Sequence, residues 1–355
     1  MNELEQLAGS VIVCGFPGTQ VPHEVRRWIE NDAVAGLILF KRNIEDHAQA
    51  TELITSASVA GVSTQPLLIC IDQEGGRVAR FGPPMIELPP MRELGKADDP
   101  ELTKLAGRVL GRQLRAIGIN LDFAPVLDVD TNPDNPVIGD RSFGTTPEVV
   151  IEHALRFAEG LHTGGVLSCA KHFPGHGDTE LDSHLALPRL RHDGARLDAV
   201  ELAPFRAAVG RIPSIMTAHV VFESLDDIPA TLSEPVIEGL LRDEIGYEGV
   251  VFTDDLEMKA VSADAPVEES GVRAIEAGCD ILLVCSDVDA AGRLREALAH
   301  KAQQDPGFRA KLTRAGERAD VLRESITVLP SPVPIENALD DSDVRLLRER
   351  LRQLD

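Results

Sequence analysis

Short runs rich in Val, Ile and Leu alternate along this chain with longer stretches in which apolar residues recur every three or four positions. The short runs are too brief for helices and are bounded by turn-forming residues, so they predict buried strands, and the longer stretches predict amphipathic helices. Eight strands are expected, at residues 10–16, 36–40, 66–72, 119–126, 166–172, 214–221, 249–254 and 279–285. Strand–helix alternation repeated eight times is the pattern of a parallel sheet closed on itself. The expected fold is therefore α/β, a single (β/α)8 TIM-type barrel with a C-terminal helical extension.

The helical stretches can be read in more detail. Leu102, Leu105, Ala106, Val109, Leu110, Leu114 and Ile117 form one apolar stripe that stops at Gly118. Thr146, Pro147 and Glu148 read as an N-cap, a first-turn proline and an acid that suits the positive end of the helix dipole. Pro204 predicts a kink or break in the stretch 197–209. After Val328 the run LPSPVP predicts an extended connector, followed by an Arg-rich amphipathic helix over 340–354. Residues 1–328 are thus expected to form the barrel and 329–355 a connector and helix docked on it. No shift in composition points to a second folded domain.

Composition narrows the function. The 355 residues are 43% hydrophobic, enough for a large core, and carry a formal net charge of -23. Such a charge opposes approach to phosphate backbones and anionic lipid, so neither nucleic acid nor a membrane surface is an expected partner. No run approaches the ~18 consecutive apolar residues of a membrane span. The five cysteines, Cys14, Cys70, Cys169, Cys279 and Cys285, lie in or beside apolar runs without CxxC spacing, as small core residues in a reducing compartment would. The first residues, MNELEQLAGS, lack a basic and then apolar leader. A cytoplasmic protein follows, and a monomer is the favoured state.

In a β/α barrel the chemistry gathers at the carboxyl ends of the strands. Those ends are strongly polar here: IDQEGGRVAR after the third strand, Asp122 and Asp128 on the fourth, Lys171 and His172 on the fifth, His219 on the sixth, and Asp254 and Asp255 on the seventh. The stretch from Lys171 to His184 holds three histidines and two aspartates, and Pro174, Gly175 and Gly177 exclude regular structure from it. Within it Asp182 stands two positions before His184, a spacing at which a turn can bring the carboxylate to the imidazole and form an acid/base pair. A carboxylate at the end of strand seven can attack an anomeric carbon. Of Asp254 and Asp255, one can cap the following turn and the other react; the residues alone leave open which does which.

These segments also resemble a known family. KHFPGHGDTELDSHLALP is similar to the signature loop of the β-N-acetylglucosaminidases of glycoside hydrolase family 3, and it is accompanied in family order by GLILFKRN, IDQEGGRVARF, INLDFAPVLDV, GDRSFG, MTAHV and FTDDLEMKA. The resemblance spans nearly the whole barrel and is nearest to the single-domain bacterial cytoplasmic form of peptidoglycan recycling. It implies that Asp254 is the nucleophile, that His184 is the proton donor and acceptor, and that Asp182 orients and tunes His184. It implies that Asp72, Arg80, Arg141, Lys171 and His172 hold the sugar. Asp255, His176, Asp178 and His219 would fix loop geometry and line the site. The implied reaction is retaining hydrolysis of a terminal β-linked N-acetylglucosamine on anhydro-muramoyl peptides, with no metal and no organic cofactor. The implied partner is a small saccharide or muropeptide.

Other readings make different demands on the sequence. An N-acetylglucosaminide phosphorylase would use the same histidine, because a neutral imidazole does not repel phosphate, whereas the HFPGHGDT-to-DSH loop argues for the acetamido sugar over a family 3 β-glucosidase. A metal-dependent amidohydrolase barrel would need an HxH pair at the end of the first strand, where this chain has Val11-Ile12-Val13-Cys14-Gly15-Phe16. A non-catalytic saccharide-binding barrel would not need Asp254, Asp182 and His184 together.

Overall fold

A computed structural model of the chain describes residues 2–60, 65–183, 186–263 and 265–354. Eight parallel strands close into one barrel in chain order: β1 (Ile12–Cys14), β2 (Gly36–Leu39), β3 (Leu68–Ile71), β4 (Leu121–Asp122), β5 (Leu167–Phe173), β6 (Ser214–Thr217), β7 (Val250–Asp255) and β8 (Ile281–Val284). All eight expected strands are there. Strand β4 is shorter than its apolar run because Pro125 has no N–H to give the ladder, and the pairing resumes only as a single bridge between Val126 and Lys171.

Side chains alternate across the wall, as the two-residue period of a strand demands. Ile38, Phe123, Cys169, Met216, Phe252 and Leu283 fill the interior, whereas Leu37, Leu39, Ile69, Ile71, Ile215 and Val251 pack outward against the helices. Phe123 meets Phe252 edge-on with ring centroids 5.4 Å apart. At the amino-terminal end of the strands, Ala319, Leu322 and Ile326 join the interior cluster. The floor is therefore plugged, and the opposite end is left for chemistry.

The stripe from Leu102 to Ile117 is buried along the Pro100–Ala116 helix, which packs closely on the Pro147–Gly164 helix. Thr146 holds the N-cap position of the latter with Pro147 in its first turn, but its side chain makes no capping bond. Around Pro204 the chain breaks as expected: a π-helical turn, Leu197–Glu201, hands over to a new helix, Ala203–Ala208, with the proline in its first turn, where the missing N–H is harmless. Near the carboxyl terminus, Ser342–Leu351 is helical, with Asp341 accepting from the Val344 N–H. Val344 and Leu347 are buried, and Asp343 pairs with Arg108 at 3.0 Å. All five cysteines are buried free thiols. No helix of the described residues is long and apolar enough to cross a membrane.

Two irregularities in the barrel fall where the expected chemistry lies. Between β5 and β6 the register advances from Lys171 to Phe173 opposite a single step from Met216 to Thr217, so His172 is an extra residue. Between β7 and β8 it advances from Phe252 to Asp255 opposite the shorter step from Ile281 to Leu283, which adds a residue beside Asp254. A bulge of this kind re-aims side chains at the end of a strand.

Candidate active site

The open end of the barrel holds a cavity of about 210 Å³. Its floor is apolar, built by Ile38, Phe123, Met216 and Leu283, and its walls include Asp72, Glu74, Arg80, Arg141, Lys171, His172, Asp254 and Asp255. The strand ends thus bring six of the eight sequence-predicted site residues to one space: Asp72, Arg80, Arg141, Lys171, His172 and Asp254. Ser183 lines it too, between the remaining two. Asp182 is half-buried just outside, and His184 lies outside the described residues.

One side of the cavity is an ionic lattice. The Lys171 ammonium, 2% exposed, sits 2.8 Å from Asp72 Oδ1 and 2.6 Å from Glu74 Oε1. Arg141 donates to both Glu74 oxygens, at 2.8 and 2.9 Å, and Arg80 donates to Asp72 Oδ2 at 3.1 Å. Burial works to raise both carboxyls, but the adjoining cations prevail: Lys171 and Arg80 hold Asp72 below its usual range, and Arg141 and Lys171 hold Glu74 well below it. Burial works the other way on Lys171, yet its two carboxylates keep the ammonium firmly protonated. Glu74 was not singled out from sequence, although it stands two residues beyond Asp72 in the same polar segment and can therefore share its side of the chain.

That segment is pinned from behind. Asp122, fully buried on β4, accepts the Gln73 N–H at 2.9 Å, and the Gln73 side chain accepts from the Arg80 and Phe81 N–H groups and donates to the Phe81 carbonyl. Burial first, with the negative charges of Asp72 and Glu74, pushes the Asp122 carboxyl up to about 8, against the pull of the Gln73 N–H and Lys171.

The loop after β5 is stapled at both ends. Asp128 accepts from His172 Nδ1 at 2.6 Å and from the His176 N–H at 2.6 Å, bonds that outweigh its burial and keep it ionised. Gly177 comes so close to Val129 that a Cβ would fall 1.8 Å from its carbonyl oxygen, so only glycine fits. The His176 ring reaches Thr179 Oγ1 at 2.8 Å and Ser183 Oγ at 2.9 Å. Burial, then the neighbouring His172, pushes this imidazole down to about 4, so near neutral pH it is an uncharged tie between the start of the loop and Ser183. Asp178 accepts from Thr131 Oγ1 at 2.9 Å and meets His192 at 2.8 Å, behind the cavity wall. The Ser183 carbonyl accepts from the Ala260 N–H at 3.3 Å, which joins the loop to the segment after β7.

Geometry separates the two aspartates of β7. Asp255 Oδ1 accepts the Glu257 and Cys285 N–H groups, at 3.1 and 3.2 Å, and so belongs to the turn. Burial pushes its carboxyl up to about 7, with the charges of Glu257 and Asp254 adding to the effect and the two N–H groups opposing it. Asp254 accepts only the adjoining Asp255 N–H, at 2.8 Å, among the described residues, and it lines the cavity. The short helix that follows, Lys259–Ser262, has Met258 at its N-cap, so neither aspartate caps it. His219 is buried behind, its Nε2 3.0 Å from the Asp255 carbonyl and its Nδ1 2.8 Å from Thr231 Oγ1. Among the described residues no group of three or more His, Cys, Asp or Glu side chains is arranged to hold a metal ion.

Residues 2–315 match the N-terminal domain of glycosyl hydrolase family 3. The chain is 41% identical over 294 residues to a β-hexosaminidase of Neisseria meningitidis serogroup C strain 053442, which covers 81% of each protein. Its fold is similar to that of a glycoside hydrolase family 3 β-N-acetylglucosaminidase from Paenibacillus sp. strain FPU-7, with a TM-score of 0.92, 39% identity, and coverage of 100% of this chain and 69% of the other. It is likewise similar to NagZ from Neisseria gonorrhoeae in complex with N-trifluoroacetyl-D-glucosamine, with a TM-score of 0.82, 33% identity, and coverage of 98% and 97%.

Proposed function

Because this chain belongs to family 3 of the glycosyl hydrolases, we propose that it is an exo-acting β-N-acetylglucosaminidase. It releases a terminal non-reducing β-linked N-acetylglucosamine from peptidoglycan turnover fragments, GlcNAc-anhydroMurNAc peptides, in the cytoplasm and with retention of configuration. The observation that carries the reading is one small cavity whose wall holds the Asp254 carboxylate and the Asp72–Arg80–Lys171–His172 group together. Its volume of about 210 Å³ and apolar floor suit a single sugar ring entering end-on better than a threaded chain.

In this mechanism the Asp254 carboxylate attacks the anomeric carbon while His184 gives a proton to the departing oxygen. The resulting glycosyl-enzyme ester is opened by a water from which His184 takes a proton, and two inversions restore the β configuration. Asp182 orients His184 and stabilises its charged form. Asp72, held ionised, accepts from sugar hydroxyls, while Arg80, Arg141, Lys171 and His172 present donors to hydroxyl and acetamido oxygens. Asp255, with its carboxyl raised to about 7, keeps a full second negative charge away from Asp254 near neutral pH. The two half-reactions need a carboxylate, an imidazole and water, and nothing else.

Hydrolysis of an aryl β-N-acetylglucosaminide, followed by product analysis with and without phosphate, tests this. Free N-acetylglucosamine, first released as the β anomer, is expected in both cases. Sugar 1-phosphate as the main product would make the enzyme a phosphorylase, and preference for the aryl β-glucoside would make it a glucosidase.

A further inference from the structure

We propose that Arg42, lying against the ring of Phe40 at the rim of the cavity, binds a carboxylate on the aglycone, the part of the substrate beyond the scissile bond. This rests on the β-N-acetylglucosaminidase reading above and extends it to the leaving group.

The chain leaves β2 at Leu39, and the next residue, Phe40, lines the cavity. The turn that follows, Lys41–Asn43, is fixed by the buried Asn43, which accepts the Phe40 N–H at 2.9 Å and donates to the Phe16 and Gly18 carbonyls at 2.9 and 2.7 Å. Arg42 is thereby held at the rim. Its Nε donates to the Phe16 carbonyl at 3.2 Å, its Nη2 donates to the carbonyl of Cys285, another cavity-lining residue, and its guanidinium carbon sits 4.4 Å from the Phe40 ring centroid. Arg80 approaches the same ring at 5.3 Å, so the phenyl links the rim to the sugar-side lattice.

The charge balance distinguishes Arg42 from the other cations here. Arg80, Arg141 and Lys171 are each paired with Asp72 or Glu74. Among the described residues no carboxylate lies within ion-pair distance of Arg42, whose protein partners are neutral carbonyls and a phenyl ring, although the chain carries a net charge of -23. A guanidinium has five N–H donors, and two are used here. The remainder form a directional fork suited to a carboxylate. The cavity is sized for one ring, so everything beyond the scissile oxygen must pass out over its lining, which includes Phe40 and Cys285, the residues against which the exposed Arg42 is seated.

The test compares kcat/KM of the full-length enzyme on N-acetylglucosaminides whose aglycone carries a free lactyl carboxylate, the matching carboxamide, or a peptide stem with its own carboxylates, alongside a neutral aryl glycoside. The carboxylate is expected to be preferred over the carboxamide by about five- to tenfold, mainly through KM, which is the scale of one charge-assisted contact at a partly exposed site. Arg42→Gln is expected to remove that preference and Arg42→Lys to keep part of it. A preference confined to the free lactyl acid or to the peptide stem identifies which carboxylate is bound. Equal kcat/KM for carboxylate and carboxamide in the unaltered enzyme overturns the proposal, and this arm does not depend on any variant folding. A preference that survives Arg42→Gln in a folded protein also overturns it. Failure to hydrolyse the neutral aryl glycoside is a different result and refutes the underlying reading instead.

Discussion

The two sides of the cavity are built on opposite plans. On the β3 and β5 side, Asp72, Glu74, Lys171, Arg80 and Arg141 share charges so fully that each carboxylate has two cationic partners. On the β7 side, Asp254 has one tie among the described residues, to the N–H of the next residue, while its neighbour Asp255 is taken up by the turn. Groups that must only hold a sugar can be fixed by strong mutual pairing. A nucleophile so paired would have to break those bonds before attacking, so a lightly bonded carboxylate beside a rigid lattice suits the chemistry better.

The largest expected effect comes from the lightly bonded side. Asp254→Ala should lower kcat on an aryl β-N-acetylglucosaminide by at least about 10³-fold with an unchanged melting temperature, since covalent catalysis fails without its nucleophile while little structure depends on the group. Appreciable retained activity would erase the contrast between the two sides. Asp182→Asn should follow, with a loss on the order of 10²-fold. If Asp182 pairs with His184 as proposed, losing the negative charge should lower the pKa of His184, and the limb of the pH–rate profile that reports its protonated form should move to lower pH. An unshifted profile would separate Asp182 from His184.

The lattice side should respond in the reverse sense, through stability more than chemistry. Glu74→Gln leaves Lys171 and Arg141 buried and under-compensated, which should cost about 3 kcal/mol or more in unfolding free energy and raise KM. A smaller effect is expected at Asp255, whose carboxyl is raised from 3.8 to about 7 in the folded protein. The folded state therefore holds this proton more tightly, so the associated stability is complete below about pH 4 and is lost progressively as the pH rises to about 7. Asp255→Asn cannot ionise, and its melting temperature relative to the unaltered protein should rise by roughly 2–4 °C between pH 4 and pH 8. A pH-independent difference would contradict the raised carboxyl.

Much of this was legible in the sequence because it follows from periodicity. The eight apolar runs form the eight strands, and the rule that barrel chemistry collects at strand ends gathers Asp72, Lys171, His172 and Asp254 at one end from the sequence alone. What periodicity does not encode was missed. Glu74 belongs to the lattice because Arg141, 67 residues later, and Lys171 both return to it. The extra residues at His172 and Asp254 show only when one strand is counted against its neighbour. Apart from the family resemblance, the residues do not show which of Asp254 and Asp255 serves the turn, because the Cys285 N–H that claims Asp255 comes from the adjacent strand end. Thr146, by contrast, has a capping residue's place and backbone without its hydrogen bond, a reminder that sequence locates a helix start better than the bonds that hold it.

In the proposed mechanism the lightly bonded Asp254 forms the bond to the sugar. Incubation with a 2-acetamido-2-deoxy-5-fluoro glycosyl donor, then proteolysis and mass spectrometry, tests it most directly. A single glycosyl ester on Asp254 is expected. A label on Asp255 or Asp72, or turnover that never accumulates a covalent adduct, would contradict it.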